Sequence, residues 1–183
     1  MAHDEILQEG EYFVYSLRVP KERVAVFIGH KGEMKKRLAQ DLDATLSVES
    51  RDSEVSIRAK DSLKLYVAKD VLKAIARGFN PEIALQLLRA DYTFELLDIT
   101  EYANTKDGLM RLKGRVIGAE GKSWKTIETL TETNLSVYGK TVAIIGEISR
   151  ANTARRAVES LLSGSQHAAV YKWLEKQRRN FTI

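Results

Sequence analysis

The chain has 183 residues, 44% of them hydrophobic, which is enough for one medium domain or two small ones with packed cores and excludes a wholly disordered polymer. Lys and Arg number 29 against 25 acidic residues, a net charge of +4 and only a mild lean toward a polyanionic partner. Cysteine is absent, so disulfides, thiolate metal sites and cysteine nucleophiles are excluded, and the three histidines, His3, His30 and His167, share no ligand-like spacing. No apolar run approaches the roughly 20 residues of a membrane span, and the polar, acidic stretch 1–10 lacks a signal-peptide core, so a cytoplasmic protein with a flexible N-terminus is expected.

In chain order, Tyr12–Val19 is aromatic and β-branched and predicts a strand. Pro20 then opens a short helix over about 21–27, which leads into Gly29-His30-Lys31-Gly32. Met34, Leu38 and Leu42 recur at a helical interval. Leu46 and Val48, then Val55 and Ile57, alternate as two strands around the polar turn 50–53. A long helix follows, with Leu63, Val67, Leu72 and Ile75 expected on its apolar face, ending at Gly78 before Pro81. Residues 81–90 predict an inter-domain helix with Ile83, Leu87 and Leu88 on one side.

The same order then recurs: a strand over 92–99, a helix over 106–116, Gly118-Ala119-Glu120-Gly121, a helix over 123–131, a hairpin turning at Gly139-Lys140, and a helix over 152–162. The copies align at a constant separation through Gly29 and Gly118, Leu38 and Ile127, and Ser47 and Ser136. The second copy then drops two residues, so that Val55 and Ile57 match Val142 and Ile144. A tandem α+β duplication follows: modules over 11–80 and 91–164, each βααββα with a three-stranded antiparallel sheet on helices, and extra helices at 81–90 and within 165–183. In the tail, Val170, Trp173 and Leu174 share one helical face, which predicts a docked helix.

Glycines let a backbone turn sharply and approach a ligand closely, and each Gly-x-x-Gly opens a helix whose free N–H groups favour an anion. The candidate contacts are Ile28, Gly29, His30, Lys31, Gly32 and Lys35 in the first copy. In the second they are Arg115, Ile117, Gly118, Ala119, Glu120 and Gly121, followed by Lys122, Ser123 and Lys125. A phosphate clamp beside an apolar groove floored by Ile28 or Ile117 suits single-stranded RNA, because a duplex hides its bases. Trp124 and Tyr138 are expected to pack rather than stack on bases. Gly121-Lys122-Ser123 is not a P-loop, since position 116 is valine and the preceding element reads as a helix. No nucleophile–base pair or carboxylate cluster is legible, so an RNA-cleaving or nucleotide-hydrolysing enzyme is the weaker reading, as is a scaffold whose loops are plain turns.

Residues 116–127 and 27–38 resemble the KH pattern of an apolar pair, Gly-x-x-Gly and a closing Ile or Leu, in the type I order. Ala76–Leu85 and Gly164–Lys172 further resemble the partner-of-Nob-one (Dim-two) family, and the compact length resembles its archaeal branch. The resemblance implies a non-catalytic factor of small-subunit ribosomal RNA processing that binds near the rRNA 3′ end and needs no cofactor or metal. It implies as partners a Nob-one-like endonuclease and the alpha subunit of translation initiation factor two. A KH-type mRNA-binding or translation-regulating protein is the alternative. Eukaryotic members have a degenerate first loop, whereas Gly29 and Gly32 are both present here.

Overall fold

The computed structural model describes residues 6–181, so positions 1–5 of the expected flexible N-terminus and 182–183 of the tail lie outside the described residues. The chain divides into two compact units, Met1–Leu88 and Arg89–Ile183.

In the first unit the strands are β1 (Leu7–Glu9), β2 (Tyr12–Arg18), β3 (Thr45–Glu49) and β4 (Glu54–Ala59). The helices are α1 (Lys21–Ile28), α2 (Glu33–Asp41), α3 (Ser62–Ala76) and the single turn α4 (Pro81–Ala84). The sheet order is β1-β2-β4-β3, all antiparallel, with Tyr15 opposite Ile57 and Leu46 opposite the same Ile57. Because strand side chains alternate, Tyr15, Leu46, Val55 and Ile57 face the helices and are buried. Asp61 starts α3 by accepting from the N–H groups of Leu63 and Lys64.

Three expectations are corrected by this unit. The first sheet has four strands, not three, because Leu7–Glu9 folds back through Gly10 (φ 62°) and pairs with β2 from Leu7–Val14 to Glu9–Tyr12. The face that α3 buries runs through Leu65, Ala68, Leu72 and Ile75, while Leu63 is 79% exposed. Alanines at 68, 74 and 76 carry much of that packing, so a stripe counted from large residues alone is displaced by part of a turn. Residues 81–90 are not one helix: α4 tightens into a 3-10 turn at Leu85–Leu88 that packs on α3 within the first unit, and Leu88 is exposed.

The second unit contains β5 (Tyr92–Asp98), β6 (Asn134–Tyr138) and β7 (Thr141–Glu147), in the order β5-β7-β6. Its helices are α5 (Lys106–Ile117), α6 (Lys122–Thr131), α7 (Ile148–Leu162) and α8 (His167–Asn180). Leu135 and Ile144 from the sheet meet Val116, Ile127 and Leu161 from the helices in one core. Tail helix α8 docks on it: Val170 and Leu174 are buried, Trp173 packs against the cluster, and the Arg156 guanidinium lies 5.2 Å from the Trp173 ring centre. Trp124 also packs on this core. No helix among the described residues is long and apolar enough to cross a membrane.

Candidate nucleic-acid interface

Both glycine loops join two helices through the same backbone path. Gly29 has φ 69° and ψ −175°, Lys31 has φ 49° and ψ 25°, and Gly32 has φ 80° and ψ 11°. Gly118 (73°, 174°), Glu120 (53°, 28°) and Gly121 (74°, 13°) repeat those values.

The two glycines of each loop serve different ends. A Cβ on Gly29 would stand 2.5 Å from Met34 Cβ, and one on Gly118 would stand 2.6 Å from Ser123 Cβ and 2.7 Å from its backbone nitrogen. That first glycine lets the second helix pack under the loop. A Cβ on Gly32 or Gly121 would meet nothing within 4 Å, so beyond its positive φ the second glycine leaves the backbone open to the outside. Among the described residues no side chain caps α2 or α6. The N–H groups of Glu33 and Lys122 turn back to the carbonyls of His30 and Ala119, and the positive end of each helix dipole faces the loop.

His30, Lys31, Ala119, Glu120, Lys122 and Lys125 are exposed around the loops, while Ile28, Lys35 and Ile117 are half-buried at their flanks. The charges are transposed between copies. Lys31 precedes and Glu33 follows the second glycine of the first loop, whereas Glu120 precedes and Lys122 follows that of the second. Lys122 Nζ and Glu120 Oε2 are 4.0 Å apart on side chains 77% and 85% exposed, an ion pair too open to hold either in place.

Two expected RNA-facing residues are placed elsewhere. Ser123 is 1% exposed, held beneath Gly118, and its Oγ has no hydrogen-bond partner among the described residues, so it packs the loop instead of meeting solvent. Arg115 turns inward: Nε donates to the Leu161 carbonyl at 2.9 Å and a terminal nitrogen to the Ser165 carbonyl at 2.6 Å. His167 Nε2 donates in turn to the Arg115 carbonyl at 2.8 Å. The first unit holds the same kind of clamp, with Arg23 donating to the Ile75 carbonyl at 2.8 Å and the Phe79 carbonyl at 2.6 Å. Ile75 and Leu161 are the penultimate residues of α3 and α7, and Phe79 and Ser165 stand at matching places beyond them. Each arginine adds a side-chain donor to a helix-end carbonyl that already accepts from the N–H of Gly78 or Gly164, and ties to it the carbonyl four residues further on.

Gly114 is a candidate groove residue that the sequence pattern does not single out. It lies inside α5, where glycine costs about 1 kcal/mol against alanine, and a Cβ there would meet nothing within 4 Å. Met110, one turn earlier, is 65% exposed, and Ile117, one turn later, is half-buried, so Gly114 opens the middle of an apolar strip leading to Gly118. A glycine in a helix interior is the signal that could have found it. No group of three or more His, Asp or Glu side chains among the described residues is arranged to hold a metal ion.

Residues 93–179 match the profile of a eukaryotic-type KH domain, KH type I, the second such domain of PNO1. A KH domain-containing protein of Methanocaldococcus jannaschii is 48% identical over 171 residues, which cover 89% of this chain and 73% of that protein. Dim2p of Pyrococcus horikoshii superposes with a TM-score of 0.82 at 37% identity, covering 89% of this chain and 98% of that one. This chain belongs to the Dim2/Pno1 family of tandem KH proteins.

Within that family, the structure solved as a complex of a/eIF2alpha, aDim2p and rRNA from Pyrococcus horikoshii matches with a TM-score of 0.86 at 36% identity, covering 94% of this chain and 97% of that one. The pre-rRNA-processing protein PNO1 of Chaetomium thermophilum is 35% identical over 103 residues, and the match spans 55% of this chain but 40% of that longer relative. The matched residues 93–179 run through most of α8, so the tail helix belongs to the Dim2/Pno1 second module and is not an appendage to it.

Proposed function

We propose that this protein is a non-catalytic RNA-binding factor of small-subunit ribosomal RNA processing and ribosome assembly. It holds single-stranded rRNA near its 3′ end at Gly29–Gly32 and Gly118–Gly121. The observation that carries this reading is the duplicated loop. In both units the second glycine leaves the backbone open beside an uncapped helix start, which suits a phosphate. Beside the second loop, the strip through Met110, Gly114 and Ile117 suits unstacked bases. The phosphate fixes the strand, and the groove beside it accepts bases that only a single strand can offer.

The relatives support the same role: Dim2p of Pyrococcus horikoshii was solved with rRNA and a/eIF2alpha, and the fungal PNO1 relatives are pre-rRNA-processing proteins. For this chain we infer the same partners, rRNA and the alpha subunit of initiation factor two, together with a Nob-one-like endonuclease that supplies the cleavage. Crosslinking in cells followed by sequencing of the bound RNA tests the assignment. Reads should concentrate at the small-subunit rRNA 3′ end, whereas reads spread over mRNA would replace it with a translation regulator. In solution, single strands should bind in preference to duplex, with a log–log salt slope of about −0.7 per neutralised phosphate.

A further inference from the structure

We propose a second nucleotide site in the first unit, in the cleft where the end of α2, the start of β3 and the end of β4 meet. This rests on the RNA-binding reading above and extends it to a surface remote from the glycine loop. The cleft measures about 640 Å³, within the size range of small-ligand sites, roughly 300–1,000 Å³. Tyr12, Arg58 and Lys60 line it, with Gln40 and Thr45 as neutral hydrogen-bonding groups.

Strand register brings these groups together. Arg58 lies opposite Val14 on one side and Thr45 on the other, which puts it diagonal to Tyr12 on the sheet face turned away from the helices. Its guanidinium sits 3.9 Å from the Tyr12 ring centre, and the Lys60 ammonium sits 5.5 Å from it. A planar cation laid over an aromatic ring is a platform on which a base stacks.

Charge in the cleft favours an anion. Of its two carboxylates, Asp43 is paired with Lys64 at 2.6 Å, and Asp61 accepts from the first N–H groups of α3. Arg58 and Lys60 have no carboxylate within ion-pair distance among the described residues, and together with Lys64 they outweigh Asp43 and Asp61 by one positive charge. A base on the Tyr12–Arg58 stack, its phosphate on Lys60 and its edge toward Gln40 or Thr45 would use every one of these groups. An acidic peptide would use the cations and leave the stack idle.

Helix α2 carries the first glycine loop at its start and this cleft at its end. Its nine residues span about 14 Å at 1.5 Å each. That is the reach of roughly four stacked nucleotides at about 3.4 Å per step, so one strand can occupy both.

The test uses the full-length protein and a mixed-sequence single-stranded RNA carrying thiouridine. Arg58→Glu with Lys60→Glu alters exposed side chains only, and Tyr12→Leu keeps an apolar side chain while removing the ring. Melting curves accompany both. The charge reversal should weaken binding about tenfold and flatten the log–log salt slope by about 0.7 for each phosphate that is no longer neutralised. Ultraviolet crosslinks should map to the peptide containing Tyr12 in the natural protein and vanish from it in Tyr12→Leu.

Natural protein that binds RNA, with the charge reversal binding equally well, overturns the cleft and leaves the glycine-loop reading standing. Crosslinks confined to the loop peptides overturn it as well. Natural protein that fails to bind single-stranded RNA at low salt removes both. Polyglutamate binding that the charge reversal abolishes, with RNA binding untouched, replaces the nucleotide by an acidic protein segment.

Discussion

Replacing Gly118 and Gly121 by alanine, one at a time, separates the two duties of the loop. Alanine at either position meets the left-handed backbone penalty of about 1–2 kcal/mol. At Gly118 the new Cβ also arrives 2.6 Å from Ser123 Cβ and 2.7 Å from a backbone nitrogen that cannot swing away. Overpacking of that kind costs about 1–3 kcal/mol more, so the total for Gly118→Ala is about 2–5 kcal/mol against about 1–2 for Gly121→Ala. For a unit of about a hundred residues each kcal/mol moves Tm by about 4–8 °C, giving a fall on the order of 8–40 °C for the first and about 4–16 °C for the second. Calorimetry on the intact protein reads the second-unit transition, and fluorescence anisotropy with single-stranded RNA reads binding below it. Gly121→Ala should lose affinity while still folded, because its methyl group stands where a phosphate would approach. Gly118→Ala should lose stability first. Equal falls in Tm, or unaltered affinity in a folded Gly121→Ala protein, would refute the division.

Aspartate at both inner positions of a loop, His30→Asp with Lys31→Asp or Ala119→Asp with Glu120→Asp, should abolish RNA binding by that module in a filter-binding assay and leave its melting curve within about 0.5 kcal/mol, since these side chains are exposed. Leu174→Ala should destabilise the second unit by about 2–5 kcal/mol in denaturant titration, because the side chain is fully buried between α8 and the core; an unchanged midpoint would mean that α8 does not need that core. Arg115→Ala should lose about 2–4 kcal/mol for two charge-assisted bonds, with RNA affinity of the folded fraction unaltered, which separates a clamp from an RNA-binding group. Burial, aided by Glu159 and Glu101, pushes the Tyr102 hydroxyl above the usual phenol range. The raised folded-state value means that its contribution is complete below about pH 10 and fades as pH rises through that value, so Tyr102→Phe should flatten the alkaline decline in stability.

The duplicated module is legible in the sequence because its markers cannot drift: only glycine suits the left-handed, crowded place that Gly29 and Gly118 occupy, and the strands beside them alternate cleanly. The added strand β1 escapes such a reading because its single apolar residue, Leu7, is 56% exposed and gives no alternation. Ser123 looks like an RNA-facing group because it follows the loop in sequence, yet the loop's own geometry turns that position inward beneath Gly118. The cleft at Tyr12 and Arg58 is invisible for a different reason. It depends on strand register between residues far apart in the chain, and no local pattern encodes that.

The two arginine clamps bear on how the copies diverged. By the alignment that superposes the glycine loops, Arg23 stands opposite Leu112 and Arg115 opposite Val26, so the donors differ by about one helical turn, while the acceptors hold matching places at the ends of α3 and α7. Both copies hold the bond, and each makes it from its own position. Averaging the two copies into an idealised repeat could therefore select leucine at one site and valine at the other, and erase the tether from both halves at once. An ancestral reconstruction or a module swap must carry each arginine with its own helix.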